Sequence, residues 1–380
     1  MKKLLIWLFV LVLSISMVAA FSLYGCKAAA EEEVVAPAEE EIEEAAPAEE
    51  EVAEEVAPAE EEVAEEAQGE ENEELTLGVV IPYEIGWFAA FHNGFEIVAN
   101  KENVKINWQY HNYKPEDELT AIQNLITLGV DGINLTAATP ESAEYSCRLA
   151  NEAGIPIQIT ESGIAEGEGK PFADIDFNWY QTYDTVAREL RAAEEGELKV
   201  LWLQGFLGSP PVMQGIQGFK DTIAELDDIK LATEPQDGQY ATEPSLAITK
   251  AFVQGGLDFN VAIGACQEIT EGIIQGLEEE NIDLVVVTVN GGPMDVENLK
   301  DGEIDYCMSL SPGLHSMICA QNLINKLKGR TFQQKTYSPT VWCTQEDWQE
   351  KLVPWDVDEG WLPLVEEFVE TGEYNPALRP

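Results

Sequence analysis

Two neighbouring aromatic residues, Trp87 and Phe88, follow an apolar run from Val79 to Pro82 and an acid at Glu84. A short apolar run bounded by turn residues is consistent with a buried strand, and the pattern from Ala89 to Lys101 is helical. The pair therefore falls where a strand has ended and a helix begins. In open α/β sheets, ligands bind outside the carboxyl ends of the strands. A ring placed there offers a flat face to the C–H face of a sugar or to another flat polar molecule. The alternative is that the two rings cap the core at a helix start.

Signals for catalysis are absent. Three histidines occur, His92, His111 and His315, with no Gly-x-Ser-x-Gly elbow, phosphate loop or His-x-x-x-His. No catalytic residue, metal site or cofactor is expected. Six cysteines occur. Setting Cys26 aside, the odd set Cys147, Cys266, Cys307, Cys319 and Cys343 has no metal-like spacing. One or two disulfides in an exported protein, or free buried thiols, both fit.

The formal net charge is −50 over 380 residues. With no basic cluster beyond the first residues, nucleic acid is excluded as a partner, because phosphate binding needs Lys and Arg patches. Lys2 and Lys3 precede a nearly all-apolar stretch, Leu4 to Ala20, as in an export signal. The stretch leads to Leu23-Tyr24-Gly25-Cys26. That run resembles the lipobox of bacterial lipoproteins, which implies lipidation at Cys26; the other reading is a retained membrane span. Either way, the remainder is expected outside the cytoplasm, tethered to a membrane. Residues 27–74 repeat Ala-Pro-Ala-Glu-Glu-Glu from Ala36, Ala46 and Ala57 and hold about 22 of the 71 acids. Such a segment cannot bury enough apolar surface to offset its ordering entropy, and like charges extend it. It reads as an acidic spacer.

From Leu75 onward the chain alternates short apolar runs with longer helical patterns, the sign of parallel sheets flanked by helices. The alternation pauses near 172–177 and restarts, which predicts two lobes of similar build. Trp348, Trp355 and Trp361 are expected to pack the tail onto a lobe.

Several runs carry a resemblance in order and at consistent spacing: Gly78–Pro82 with Trp87-Phe88, Leu125–Ile133, Ala150–Ile157, Leu203-Gln204-Gly205, Gly218-Phe219, Val289-Asn290-Gly291 and Ser311-Pro312. On these the chain resembles the ribose-binding class of type I periplasmic binding proteins, the solute receptors of ABC importers. The resemblance implies an α/β fold of two similar lobes, each a parallel sheet flanked by helices, joined by three crossover segments. It divides the chain into a lipoprotein signal peptide (1–26), a disordered acidic spacer (27–74), an N-terminal lobe (75–176 plus 311–330), a C-terminal lobe (177–310), and a return with a Trp-rich tail (331–380). Crossings are expected near Asp176, Asn290 and Leu310.

The resemblance also places ligand positions. Glu161-Ser162 stands where sugar binders have Asp-Arg, Cys266-Gln267 where they have Asn-Asp, and Asn290 where they have Asp. A carboxylate at Glu161 accepts sugar hydroxyls. The missing Arg argues against an anionic ligand. The implied ligand-binding set is Trp87, Phe88, Glu161, Ser162, Tyr240, Gln267 and Asn290, with Glu84 and Glu268 as further acids. The implied function is capture of a small neutral, sugar-like solute in the inter-lobe cleft and delivery to an ABC transporter permease. A sensing module for chemotaxis or signalling is the alternative, as is an amine or nucleoside ligand.

Overall fold

The computed structural model describes residues 75–380. The expected signal peptide, the acidic spacer and the lipidation site Cys26 lie outside the described residues. The first lobe runs β1 (Thr76–Ile81), α1 (Trp87–Glu102), β2 (Lys105–Tyr110), α2 (Pro115–Leu128), β3 (Gly132–Leu135), α3 (Pro140–Glu152), β4 (Ile157–Thr160) and β5 (Ala173–Asp176). The second runs α4 (Trp179–Ala193), β6 (Leu198–Gln204), α5 (Pro210–Glu225), β7 (Ile229–Leu231), β8 (Gln236–Asp237), α6 (Thr242–Gln254), β9 (Val261–Gly264), α7 (Gln267–Glu279), β10 (Val285–Asn290), α8 (Pro293–Asp301) and β11 (Tyr306–Ser309). The chain then returns through α9 (Pro312–Leu327) and β12 (Lys335–Tyr337), and continues through β13 (Val341–Thr344), α10 (Trp348–Lys351) and α11 (Leu362–Thr371).

Local chemistry accounts for many of these boundaries. Proline opens α2, α3, α5, α8 and α9, where its fixed φ suits the first turn and its missing N–H costs nothing. Gly129 and Gly302 close α2 and α8 in the left-handed conformation. Thr139 and Ser142 form a reciprocal cap on α3.

The sheets share one order. The first is β2-β1-β3-β4-β5-β12, parallel throughout; the second is β7-β6-β9-β10-β11-β13, parallel except that β13 runs antiparallel to β11, with β8 pairing the carboxyl end of β6. Along β1, Leu77, Val79 and Ile81 face α1 and α9, while Val80 faces the layer of Ile122, Leu125 and Ile133. Both faces are covered, so the strands read as continuous apolar runs. Phe91 and Phe95 are fully buried, each stabilising the lobe by about 2–3 kcal/mol relative to exposure. A Cβ at Gly94 would overlap the backbone of Gly313, so this glycine permits the close approach of α1 to α9.

Three connections join the lobes: β5 to α4 through Phe177 and Asn178, β11 to α9 through Leu310 and Ser311, and β12 to β13 through residues 338–340. Asn290 is not a crossing. It ends β10 inside the second sheet, because β11 still adds to that sheet before the chain returns. The tail does more than pack on one lobe. It supplies an edge strand to each sheet, buries Trp361 in the first lobe, packs Trp348 on the second and sets Trp355 against Trp87 at 5.4 Å. All five cysteines among the described residues are free and buried. No helix among the described residues is long and apolar enough to cross a membrane, and no group of residues there could hold a metal ion.

Candidate ligand cleft

The carboxyl ends of corresponding strands in the two lobes face each other across a cleft. After β1 the chain turns through Tyr83 and Gly86 into α1; after β2 it passes Asn112-Tyr113; after β4, Glu161-Ser162. From the second lobe come Phe206 after β6, Tyr240 after β8, Cys266-Gln267-Glu268 after β9 and Asn290 at the end of β10. Asn112, Tyr113, Glu161, Gln239 and Tyr240 all have φ between 49° and 58°, a left-handed conformation that non-glycine residues adopt at a cost. Five such residues gather at the strand ends of one face.

Electrostatic coupling shows that the two walls are near one another. Burial raises the Tyr83 phenol above its ordinary value, and Glu268 and Cys266 of the opposite lobe add to the rise. Burial likewise raises Tyr113 and Tyr240. Tyr83, Glu161 and Tyr240 add to the rise of Tyr113, and Cys266, Asp237, Tyr83 and Glu161 to that of Tyr240. Yet Tyr113 and Tyr240 keep 49% and 42% of their surface open to water, so both rings line the gap rather than fill the core. Tyr83 meets Tyr113 edge to face at 5.8 Å, and Tyr240 meets Phe206 at 5.3 Å. Gly205 makes room for Tyr240, whose ring would overlap any side chain there.

Glu161 sits at the root of the cleft beside the crossings. The Trp87 indole N–H donates to both its oxygens, at 3.1 and 3.0 Å. His315 Nε2 lies 3.3 Å from Oε1, but this is not an ion pair. Burial pulls the imidazole down to about 3, and burial together with the nearby Asp176 pushes Glu161 up to about 8. Neutral His315 bridges Thr160 Oγ1 at 2.5 Å and Ser338 Oγ at 2.6 Å, tying β4 to the third crossing. Asp176, at the first crossing, is pushed by burial to about 7 while accepting from the Phe177 N–H and the Trp179 indole.

The sequence-derived positions divide. Trp87, Glu161 and Tyr240 stand at the strand ends that face the cleft, Asn290 ends β10 on the opposite wall, and Asn290 Oδ1 and Ser162 Oγ are buried without a hydrogen-bond partner. Gln267 is largely committed: its Oε1 accepts from the Met294 N–H and its Nε2 donates to Glu268, so it positions that acid. Phe88 turns inward, is 4% exposed and supports Tyr83 edge-on at 5.4 Å. As a core residue it is corrected from the set of free ring faces. One residue along a helix rotates a side chain by about 100°, which separates it from Trp87. Glu84 accepts from the Tyr110 hydroxyl at 2.6 Å on the exposed rim. Tyr83, Tyr113 and Phe206, which were not anticipated as ligand residues, join the anticipated acid Glu268 and the crossing residue Asp176 near the site. A separate polar cavity of about 270 Å³, where Glu102 meets Gln321, Arg330 and Glu366, lies away from the strand ends.

The profile of the periplasmic binding protein domain matches residues 77–331. The chain belongs to the periplasmic binding protein family. Members are solute-binding proteins, not enzymes, and the family works outside the cytoplasm. Among curated relatives, the ribose import binding protein RbsB of Haemophilus influenzae is 21% identical over 251 residues, covering 66% of this chain and 84% of the relative. A putative rhizopine-binding protein of Rhizobium meliloti is 23% identical over 215 residues, 50% of this chain and 69% of the relative. Among solved structures, an ABC transporter periplasmic solute-binding protein from Actinobacillus succinogenes with bound D-allose superposes with a TM-score of 0.68 at 19% identity, covering 73% of this chain and 99% of the other. One from Bacillus halodurans with bound myo-inositol gives 0.67 at 18%, covering 73% and 96%. At that identity the likeness to other periplasmic binding proteins is one of fold.

Proposed function

We propose that this chain is a membrane-anchored, extracytoplasmic receptor that captures a small sugar-like solute between its lobes and delivers it to an ABC importer. One observation carries the reading: buried polar groups without partners, Asn290 Oδ1 and Ser162 Oγ, lie beside aromatic rings at the strand ends of both lobes. A polyol presents hydroxyls to such groups and C–H faces to such rings. Lobe closure removes water and strengthens each of these bonds. The relative named for ribose import and the neighbours holding allose and inositol support the same class of solute. Ile85, Leu207 and Met213, large apolar residues exposed near the strand ends of the two lobes, suit docking on a permease. Cys26 would carry the lipid, and residues 27–74 the reach from membrane to lobe.

The test is intrinsic tryptophan fluorescence of the purified protein against a sugar and polyol panel, with native mass spectrometry to detect retained solute. A saturable response from Trp87, Trp179 and Trp355 is expected. A panel with no sugar response and a clear nucleoside response sinks the sugar reading. A sensing role is a second reading, favoured by a neighbour that is the fructose-binding periplasmic domain of a hybrid two-component system, TM-score 0.65.

A further inference from the structure

Buried carboxyl groups in folded proteins are normally paired with a cation or saturated with hydrogen-bond donors. Glu161 has neither. Its two oxygens share a single indole N–H, the nearest imidazole is neutral, and the second acid, Asp176, adds like charge. Across the gap stands a third acid, Glu268, close enough to act on Tyr83. None of the largest influences on Glu161, Tyr83, Tyr113 or Tyr240 is a lysine or arginine. Lys335 favours the ionised form of Asp176, but less than burial opposes it. Lys114, next to Tyr113, turns away to Asp117 at 3.9 Å and is 60% exposed.

The surroundings of these acids point the same way. Trp87, Tyr83, Tyr113, Tyr240 and Phe206 bring five rings to the cleft, and ring faces attract cations. The groups left unpartnered include an obligate acceptor, Asn290 Oδ1, and a hydroxyl, Ser162 Oγ, on a residue 8% exposed. A wall of acceptors and rings, built over acids with no counter-charge, lacks a donor that carries positive charge.

We propose that the solute is an organic cation with hydroxyl groups, an amino sugar or amino polyol, whose ammonium docks on Glu161 beside Trp87, Tyr113 and Tyr240 while its hydroxyls reach Ser162 and Asn290. This rests on the receptor reading above and narrows it from a neutral to a cationic solute. The ammonium supplies the charge-assisted donors that Glu161 lacks, and the rings exclude water around it.

The experiment is calorimetric and fluorescence titration of the full chain with glucosamine, galactosamine and mannosamine, each against glucose, galactose and mannose. Glucuronate, choline and putrescine complete the panel. At least one amino sugar is expected to bind about tenfold or more tightly than its neutral parent, and glucuronate not at all. Glu161→Gln is expected to erase that preference. Asn290→Asp, which adds a carboxylate on the opposite wall and serves if the first variant does not fold, is expected to widen it. Neutral sugars binding as tightly as their amino forms overturn the charge assignment and leave the sugar receptor standing. Choline or putrescine binding without any sugar overturns the sugar reading and keeps the charge assignment. Silence across the whole panel overturns both.

Discussion

Two buried carboxylates in the first lobe show opposite designs. Glu118, on α2, is fully buried, and its oxygens accept from the Ala138 N–H at 2.6 Å, Ser142 Oγ at 2.7 Å and Ser146 Oγ at 2.6 Å. Three donors from β3's exit and α3 spend its lone pairs on the fold. Glu161, one strand over, has a bifurcated bond from one indole and an acid for a neighbour. An acid that holds a scaffold together is saturated; an acid that waits for a ligand is not. The difference separates structure from function more sharply than burial does, since burial is common to both.

The largest expected effect breaks the saturated site. Glu118→Ala leaves three donors without an acceptor and should lower unfolding free energy by about 3–5 kcal/mol, read from the denaturant midpoint. Its ligand preference should stay as in the parent. An unchanged midpoint would show that the saturated acid is not structural.

Next in size is a pH effect that belongs to the cleft. Glu161 at about 8 and Asp176 at about 7 are both raised in the folded state, so the folded chain holds more protons than the unfolded one from about pH 4 to 8. Stability from these groups is full below that window and is lost as pH rises through it. Between pH 5 and 8 the ligand-free protein should lose several kcal/mol, about half from each group, and Glu161→Gln should remove its own share of the slope while Asp176, raised by burial, keeps the rest. The groups facing Glu161 are Trp87 on α1, His315 and Cys319 on α9, Asp176 on β5, and Tyr113 and Tyr240 at the rim. An ammonium ligand favours the ionised carboxylate, so its affinity should climb over the same window. A flat affinity profile counts against the contact.

A smaller effect sharpens the contrast between ligand and scaffold. Gly205→Ala pushes on the outer atoms of the Tyr240 ring, which is free to swing into solvent. Affinity should fall about tenfold while the unfolding midpoint barely moves, read by titration and melting together. Least of all, Glu161→Gln at pH 5 should change stability by under about 1 kcal/mol, because a neutral amide replaces a neutral carboxyl. A large loss there would make Glu161 a second Glu118.

Much of the architecture is legible in the residues. The alternation of apolar runs and helical patterns yields the two lobes, because parallel strands covered on both faces must be continuously apolar. The family match over residues 77–331 agrees with the resemblance drawn from those runs. The site was only half visible. Phe88 belongs to a stripe with Phe91 and Phe95, at helical spacing, that signals core and not cleft. Tyr83 and Tyr113 were hidden because strand-end loops have no periodicity, and Tyr113 takes a left-handed backbone that no local pattern announces. The third crossing was misplaced at Asn290 because a short strand after β12 leaves a weak pattern, and its partner β11 precedes it by a whole helix and loop.

The last fifty residues have a consequence for biogenesis. Each sheet takes its outermost strand from this segment, and the second lobe's β13 pairs with β11 only after α9 and β12 have been made. Without this segment both sheets present bare edges able to join with other chains. Neither lobe is complete without it, and a chain cut short near residue 330 should aggregate instead of giving one good half.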